Sequence, residues 1–235
     1  MRLSAPIYQL KRRAKLLARE QNIPLYQAQA RIAANEGFLA WSLLAAHASK
    51  KADFGTLLPQ LSNGDMLLIA ARPGHGKTRL GLRLLLDAAS EGRRSVLFSL
   101  EYTEREAMER FCALADPLPE PTPEIIATDD ICADYITNYL AGSPEGTVAV
   151  IDYLQILDQR RSTPPLSEQV EVLKTFARKT GVIMAAISQI DRSYKPEAAS
   201  IPSLADLRLP NPIPPRAFSK ACFLNAGEVR LQSLI

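Results

Sequence analysis

The feature that most constrains this chain is an apolar segment that leads directly into a glycine-bearing turn. Six apolar residues, Met66–Ala71, precede Arg72-Pro73-Gly74-His75-Gly76-Lys77-Thr78, and a stretch with helical spacing follows from Arg79. Glycines in such a turn let successive backbone N–H groups converge on an anion, which the N-terminus of the following helix also favours. A strand, this turn, Gly-Lys-Thr and a helix in that order predict a Walker A phosphate-binding loop. The alternative is a chance Gly-Lys-Thr at a helix start.

The expected ligand of this loop is ATP with Mg²⁺. Lys77 is placed to reach the β- and γ-phosphates, and the hydroxyl of Thr78 to bind Mg²⁺. Ala71 stands where the general pattern has glycine, which is acceptable if its φ is negative. The residues predicted to bind the nucleotide are Arg72, Pro73, Gly74, His75, Gly76, Lys77, Thr78 and Arg79.

Acidic residues follow two further apolar segments. Asp152 directly follows the segment Thr147–Ile151, and Glu101 directly follows Ser95–Leu100. Ligands of parallel sheets bind at the carboxyl ends of strands, so Asp152 is predicted to hold Mg²⁺ and Glu101 to deprotonate the attacking water. The alternatives are a cap for the next turn at Asp152 and the N-cap of a helix starting near Thr103 at Glu101.

A fourth apolar segment, Val182–Ile187, is followed by Ser188-Gln189. Gln189 is placed where it could sense the γ-phosphate, and a simple loop hydrogen bond is an equal alternative. Helical stretches over Arg79–Glu91, Glu104–Ala115 and Ser167–Thr180 alternate with the apolar segments. Buried strands that alternate with helices predict an α/β fold with a mostly parallel sheet flanked by helices.

Four ordered blocks resemble one family. Residues 70–78, Val-Leu-Phe-Ser-Leu-Glu at 96–101, Ile-Asp-Tyr-Leu-Gln at 151–155 and Ser-Gln-Ile-Asp-Arg at 188–192 are similar to the ATPase domain of DnaB-type replicative DNA helicases. The resemblance covers about Asp53 to Arg208. It implies a RecA-like P-loop NTPase core, ATP and Mg²⁺ as cofactors, catalytic roles for Lys77, Glu101 and Gln189, and Mg²⁺ on Thr78 and Asp152. It also implies a homo-oligomer, with a hexameric ring as one form, and a role in DNA replication.

The chain departs from this family near its end. The family's late strand supplies a Lys/Arg pair to the neighbouring subunit's γ-phosphate, whereas here Cys222–Asn225 and Val229–Gln232 form a predicted hairpin around Ala226-Gly227 without such a pair. A trans arginine accelerates phosphoryl transfer by about 10³–10⁵. The substitutes that the sequence offers are Arg160, Arg161, Arg192, Arg208 and Arg216.

The charge of the chain is uneven. Residues 1–52 carry nine basic and two acidic groups, whereas the whole chain has a net charge of only +3. We expect residues 1–52 to form a small helical domain, with helices from about Ile7, from Pro24 to Gly37 and from about Leu39 to Ala48, and residues 53–235 to form the ATPase domain. The basic first helix would contact DNA phosphates, as central loops of the ATPase domain could also do, or it would dock on the next protomer.

Composition excludes several classes of protein. The longest nearly apolar run, Phe38–Ala48, is too short to span a membrane, and basic residues occupy the first segment where a signal peptide needs apolar ones. Three widely spaced cysteines predict reduced, buried thiols in a cytoplasmic protein.

Three functions are compatible with these observations, and we give them in order of preference. The first is a DnaB-like, Mg-ATP-dependent ATPase with a DNA-related role. The second is a nucleotide-gated regulatory or scaffolding module that does not unwind DNA. The third, a small-molecule kinase on the same loop, is disfavoured because no lid-like arginine cluster is evident.

Overall fold

The computed structural model describes residues 4–5, 7–45, 57–158, 163–191, 194, 202, 206–207, 216–225 and 228–234. The chain divides into two compact units, one formed mainly by Met1–Gly55 and the other by Thr56–Asn225 with Val229–Ile235. No helix of the described residues is long and apolar enough to cross a membrane.

The first unit is helical. It contains α1 (Ile7–Glu20), α2 (Leu25–Asn35) and α3 (residues 41–45). Pro24 is the N-cap of α2 and Gly37 follows its end with φ +81°, as the sequence predicts. The predicted continuation of α3 to Ala48 lies outside the described residues.

The core of this first unit is small. Leu10, Ala33 and Leu44 are buried, and Phe38 and Trp41 pack against them while remaining partly exposed. The basic side chains of α1 point outward and are exposed: Lys11, Arg12, Arg13, Lys15 and Arg19.

The second unit contains a seven-stranded sheet flanked by helices. Its strands are β1 (Met66–Ala71), β2 (Ser95–Ser99), β3 (Glu124–Ile126), β4 (Val148–Asp152), β5 (Ile183–Gln189), β6 (Lys220–Asn225) and β7 (Glu228–Ser233). Its helices are α4 (Lys77–Ser90), α5 (Glu104–Cys112), α6 (Ala133–Tyr139) and α7 (Leu166–Thr180), with 3₁₀ turns at Leu58–Gln60 and Leu154–Asp158.

The strand order is β3-β2-β4-β5-β1-β6-β7, and β1 to β6 pair in parallel. Only two residues join the neighbouring strands β6 and β7, so these two strands run in opposite directions. The predicted α/β fold with a mostly parallel sheet is confirmed. Strand β3 and helix α6 were not predicted from the sequence, because both are short and follow the proline-rich segment 116–123.

Alternate residues of each strand point to opposite faces of the sheet, and both faces are buried. On one face, Leu68, Phe98 and Ile151 share a core with residues of α6 and α7. On the other face α4 packs so closely that a Cβ at Gly81 would lie 2.8 Å from Ile187 Cδ1 and 3.1 Å from Val150 Cγ1. The absence of a side chain at Gly81 therefore lets α4 pack closely against these two side chains.

The prediction of buried thiols is wrong for one cysteine. Cys222 is buried in β6, and burial raises the pKa of its thiol to about 12. Cys132 is partly buried at the N-terminus of α6, where its sulfur accepts a hydrogen bond from the Tyr135 N–H at 3.5 Å. Cys112 is exposed at the last residue of α5, whereas the neighbouring Phe111 is buried.

Candidate nucleotide-binding site

The glycine-bearing turn joins β1 directly to α4. Gly74 and Gly76 have φ values of +78° and +90°, a left-handed conformation that residues with a Cβ rarely adopt. Gly76 is the N-cap of α4, so Lys77 is the first residue of the helix and its side chain is largely buried. The turn is closed by a hydrogen bond from His75 N–H to the Arg72 carbonyl oxygen at 3.2 Å. Ala71 is an ordinary strand residue with no positive φ, as its position requires.

The strands that carry the predicted site residues end at one edge of the sheet. Ala71 of β1 pairs with Gln189 of β5, and Asp152 of β4 pairs with Ser99 of β2. Glu101 comes two residues after Ser99, and its backbone N–H donates to the Ser99 hydroxyl at 3.1 Å. The fold therefore gathers five predicted site residues at the carboxyl ends of parallel strands, where ligands of such sheets bind: Lys77, Thr78, Glu101, Asp152 and Gln189.

Asp152 is the most unusual group at this edge. Its side chain is completely buried, and neither carboxylate oxygen has a hydrogen-bond partner among the described residues. Burial first and the charge of Glu101 second raise the pKa of Asp152 from 3.8 to about 6, against the opposing charge of Lys77. The Thr78 hydroxyl lies close enough to lower the pKa of Asp152, although it does not meet the geometry of a hydrogen bond.

These properties fit a divalent cation. A buried carboxylate without a partner is costly, and carboxylate and hydroxyl oxygens are the ligands that Mg²⁺ prefers. The described residues contain no cluster of three or more His, Cys, Asp or Glu that could hold a metal ion by itself. A cation at Asp152 and Thr78 would therefore share its coordination with phosphate and water. Asp152 caps no turn in the described chain, which removes the structural alternative for this residue.

The structural alternative for Glu101 is wrong. Thr103 caps α5: its hydroxyl accepts from the Glu106 N–H at 3.3 Å, and the Glu106 carboxylate accepts from the Thr103 N–H at 2.9 Å. Glu101 is exposed at the strand end, close enough to Asp152 for its charge to raise the pKa of that residue.

The end of β5 is linked to the segment after β4. The side-chain amide of Gln155 donates to the hydroxyl of buried Ser188 at 3.3 Å, next to Gln189. This contact joins the 3₁₀ turn that follows β4 to the end of β5, the strand that carries Gln189. A role for Gln189 in sensing a phosphate stays a prediction.

Three residues of this region had no role in the sequence prediction. Gln155 lay inside a quoted block, and Tyr102 directly follows Glu101. Arg110 had no sequence signal, because it is one of several charged residues on α5, yet its guanidinium lies over the Tyr102 ring. Among the five arginines considered as substitutes for a trans arginine, the structure describes only Arg216, which is exposed.

Comparison with known proteins agrees with this geometry. The model of the DnaB-like helicase C-terminal domain family matches residues 48–120 and 137–214. The chain belongs to this family. The resemblance predicted from the four blocks is thus confirmed, and the unmatched residues 121–136 include β3.

Curated relatives give the same result. The replicative DNA helicase DnaB of Mycoplasma pneumoniae is 26% identical over 185 residues, which are 62% of this chain and 39% of the relative. A probable plasmid replicative DNA helicase of Chlamydia muridarum is 27% identical over 180 residues, which are 63% of this chain and 40% of the relative. The chain thus spans about two fifths of the length of these two relatives.

Solved structures share the fold. A DnaB-like replicative helicase, solved in a study of its interactions with primase, superposes with a TM-score of 0.56 at 19% identity, covering 92% of this chain and 66% of that one. A separately solved ATPase domain gives a TM-score of 0.55 at 20% identity, covering 77% of this chain and 81% of that one. The RecA-like fold expected for a member of the DnaB-like family is therefore confirmed.

Proposed function

We propose that this chain binds ATP with Mg²⁺ in the loop Arg72–Arg79 and hydrolyses it, as the ATPase domain of a DnaB-like protein that acts on DNA. The observation that carries the proposal is the buried carboxylate of Asp152, which has no hydrogen-bond partner in the described residues and lies near Lys77 and Thr78, because a divalent cation at this edge would compensate its burial.

Each residue has a distinct task in this proposal. The N–H groups of the loop and the N-terminus of α4 would bind the phosphate oxygens, and Lys77 would neutralise charge on the terminal phosphates. Asp152 and Thr78 would hold Mg²⁺, which supplies charge neutralisation of the phosphates. Glu101 would accept a proton from the attacking water, and its exposure at the strand end leaves room for that water. Gln189 would respond to the γ-phosphate and pass its presence to the neighbouring contact between the Gln155 amide and the Ser188 hydroxyl.

ATP turnover and ATP binding, measured separately, test this assignment. We expect Lys77→Ala to abolish tight ATP binding and Glu101→Gln to lower turnover by about 10²–10⁴ while ATP still binds. Lys179→Ala and Glu168→Gln, on exposed positions of α7, are matched controls and should behave like the wild type. Wild-type protein that binds no ATP, or a Glu101→Gln variant with full turnover, contradicts the proposal.

A second function is favoured by the β6–β7 hairpin. In the described parts of this hairpin the basic residues are Lys220 and Arg230, and Lys220 is paired with Asp65 at 2.7 Å at the edge opposite the nucleotide site. If this hairpin does not supply the family's basic pair to a neighbouring subunit, hydrolysis would be slow, and ATP would act as a switch of assembly. Two measurements separate these functions: a strand-displacement assay, and the molecular mass of the protein in solution with and without ATP. Unwinding of DNA excludes the switch.

DNA and a second protomer are the proposed partners. The exposed basic side chains of α1 would contact phosphates without reading sequence, or would bind an acidic surface of a neighbouring subunit in an oligomer. Binding to single-stranded DNA at two salt concentrations tests the first role. If a Lys11→Glu/Lys15→Glu variant binds DNA more weakly but forms the same oligomer as the wild type, α1 contacts DNA. If the variant no longer forms that oligomer, α1 docks on the neighbouring subunit.

A further inference from the structure

Gln169 of α7 is a buried polar side chain that links three segments of the chain. It is 2% exposed, and its amide nitrogen donates to the carbonyl oxygens of Leu157 and of Pro164, the latter at 2.8 Å. Its amide oxygen accepts from the Ala133 N–H at 3.0 Å. A carboxamide nitrogen has two hydrogens, so both are engaged. One side chain therefore joins the 3₁₀ turn after β4, the residues that lead into α7 and the first residue of α6.

The two carbonyl groups belong to opposite ends of one connection. Leu157 lies in the turn Leu154–Asp158, and Pro164 directly precedes the N-cap of α7. The Leu157 carbonyl oxygen also accepts from the Thr163 hydroxyl at 3.4 Å, which closes the same connection a second time. Because a single nitrogen of Gln169 is within hydrogen-bond distance of both carbonyl oxygens, it fixes where the turn lies relative to α7.

The same turn carries a contact with the nucleotide edge. Gln155, two residues before Leu157, donates from its side-chain amide to the hydroxyl of buried Ser188 at 3.3 Å, and Ser188 directly precedes Gln189. This hydrogen bond is slightly longer than is usual for its type, so a small displacement of the turn would break it. The contact with Ser188 thus depends on where Gln169 holds the turn.

Apolar packing by itself does not fix the position of the turn so narrowly. Leu154 and Leu157 are buried in the core, and their burial keeps the turn on the sheet. Burial is non-directional, whereas hydrogen bonds restrict the position and orientation of the groups that they join. Without the carboxamide of Gln169, two carbonyl oxygens and the Ala133 N–H would each lose a partner, and we expect the turn to shift so that water reaches them.

We propose that Gln169 is a positioning residue for ATP hydrolysis. It holds the turn Leu154–Asp158 so that Gln155 stays on Ser188, beside the predicted γ-phosphate sensor Gln189. The inference rests on the proposed function, since it needs ATP hydrolysis at this edge of the sheet.

The test measures the ATP dissociation constant and the turnover at saturating ATP of Gln169→Met, whose side chain has a similar length but no carboxamide. We expect turnover to fall about tenfold, because a small misplacement of a group near the reacting phosphate is costly. The dissociation constant should change less than about twofold, since the described hydrogen-bond partners of Gln169 lie outside the loop Arg72–Arg79.

Thr147→Val separates positioning from a general loss of stability. The buried Thr147 donates to the Pro144 carbonyl oxygen at 2.7 Å, next to the end of β4 that lies opposite the nucleotide site. Losing this hydrogen bond should lower the midpoint of thermal unfolding and leave turnover unchanged. A loss of turnover in Thr147→Val as large as in Gln169→Met would overturn the inference, because lowered stability would then account for both.

Ser188→Ala tests the other end of the same connection. It removes the acceptor of the Gln155 amide and should lower turnover as Gln169→Met does, with ATP binding retained. The Gln169→Met/Ser188→Ala double variant should be no slower than the slower single variant, because both residues act through one contact. Losses of turnover that multiply in the double variant would overturn the inference.

The failures can be told apart. If the wild type binds no ATP or does not hydrolyse it, the proposed function is overturned together with this inference. If the wild type hydrolyses ATP and Gln169→Met does so at the same rate, this inference alone is overturned. An equal loss of ATP binding and turnover in Gln169→Met also overturns it, because the residue would then support the fold of the whole site. If Gln169→Met does not fold, Ser188→Ala decides: full turnover overturns the inference, and a selective loss of turnover supports it.

Discussion

Replacing Asp152 with asparagine should stabilise the protein free of Mg²⁺ and nucleotide, and do so more strongly at neutral than at acidic pH. The carboxylate is buried without a hydrogen-bond partner in the described structure, which penalises its charged form. Asparagine has nearly the same shape and no charge, so it removes this penalty. A residue assigned to Mg²⁺ binding would thus lower stability until its ligand is present.

The size of the effect follows from the pKa. Folding raises the pKa of Asp152 from 3.8 to about 6, and one pKa unit corresponds to about 1.4 kcal/mol, so the cost approaches about 3 kcal/mol. Because the folded pKa is the higher one, the folded state binds more protons than the unfolded state between these two pKa values. This contribution to stability therefore falls as pH rises through that window and stays constant above it.

Urea unfolding of the wild type and Asp152→Asn at a series of pH values from about 4 to about 7 measures this effect. The stability difference between the two proteins should grow by about 2.4 kcal/mol across the series, because part of the full effect lies below about pH 4. The comparison is necessary because other carboxyls, such as Asp65 and Glu124, have lowered pKa values and stabilise the fold as pH rises. Exposed Asp129→Asn is the matched control and should show no such trend.

A stability difference that does not change with pH would refute the reasoning about Asp152. Adding Mg-ATP gives a second measurement. At about 100 times the dissociation constant, a ligand of the folded state stabilises it by about 2.7 kcal/mol. We expect this gain in the wild type and its loss in Asp152→Asn.

Three further predictions concern the frame that supports the site, and denaturant unfolding measures all of them. Gly81→Val should destabilise the fold by about 1–3 kcal/mol, because its side chain would meet the buried side chains of Ile187 and Val150; an unchanged midpoint would contradict this packing. Arg94→Met should cost about 1–2 kcal/mol, since the guanidinium donates to both oxygens of Glu124 at 2.7 and 2.9 Å in a half-exposed position. Removing the capping box by Thr103→Ala should cost about 1 kcal/mol, and Thr103→Ser should recover most of it.

Much of the site could be predicted because each motif is a short run of consecutive residues. The loop Arg72–Arg79 depends on glycines at positions where φ is positive, and the sequence shows both the glycines and the strand and helix around them. The acids at Glu101 and Asp152 follow apolar strands, so their position at a sheet edge also follows from local pattern. The boundaries of β1, β2, β4 and β5 were accordingly close to those observed.

What the sequence by itself determined is therefore the set of local elements, the glycine-bearing turn between β1 and α4, and the family. The tertiary structure alone decided which elements are neighbours. The order β3-β2-β4-β5-β1-β6-β7 places the end of β4 beside the end of β2, although Glu101 and Asp152 are far apart along the chain. The burial of Asp152 and the approach of Gly81 to Ile187 both depend on this order. Such contacts leave no local pattern, because periodicity and capping act between residues near in sequence, whereas burial and charge act between residues that only the folded chain brings together.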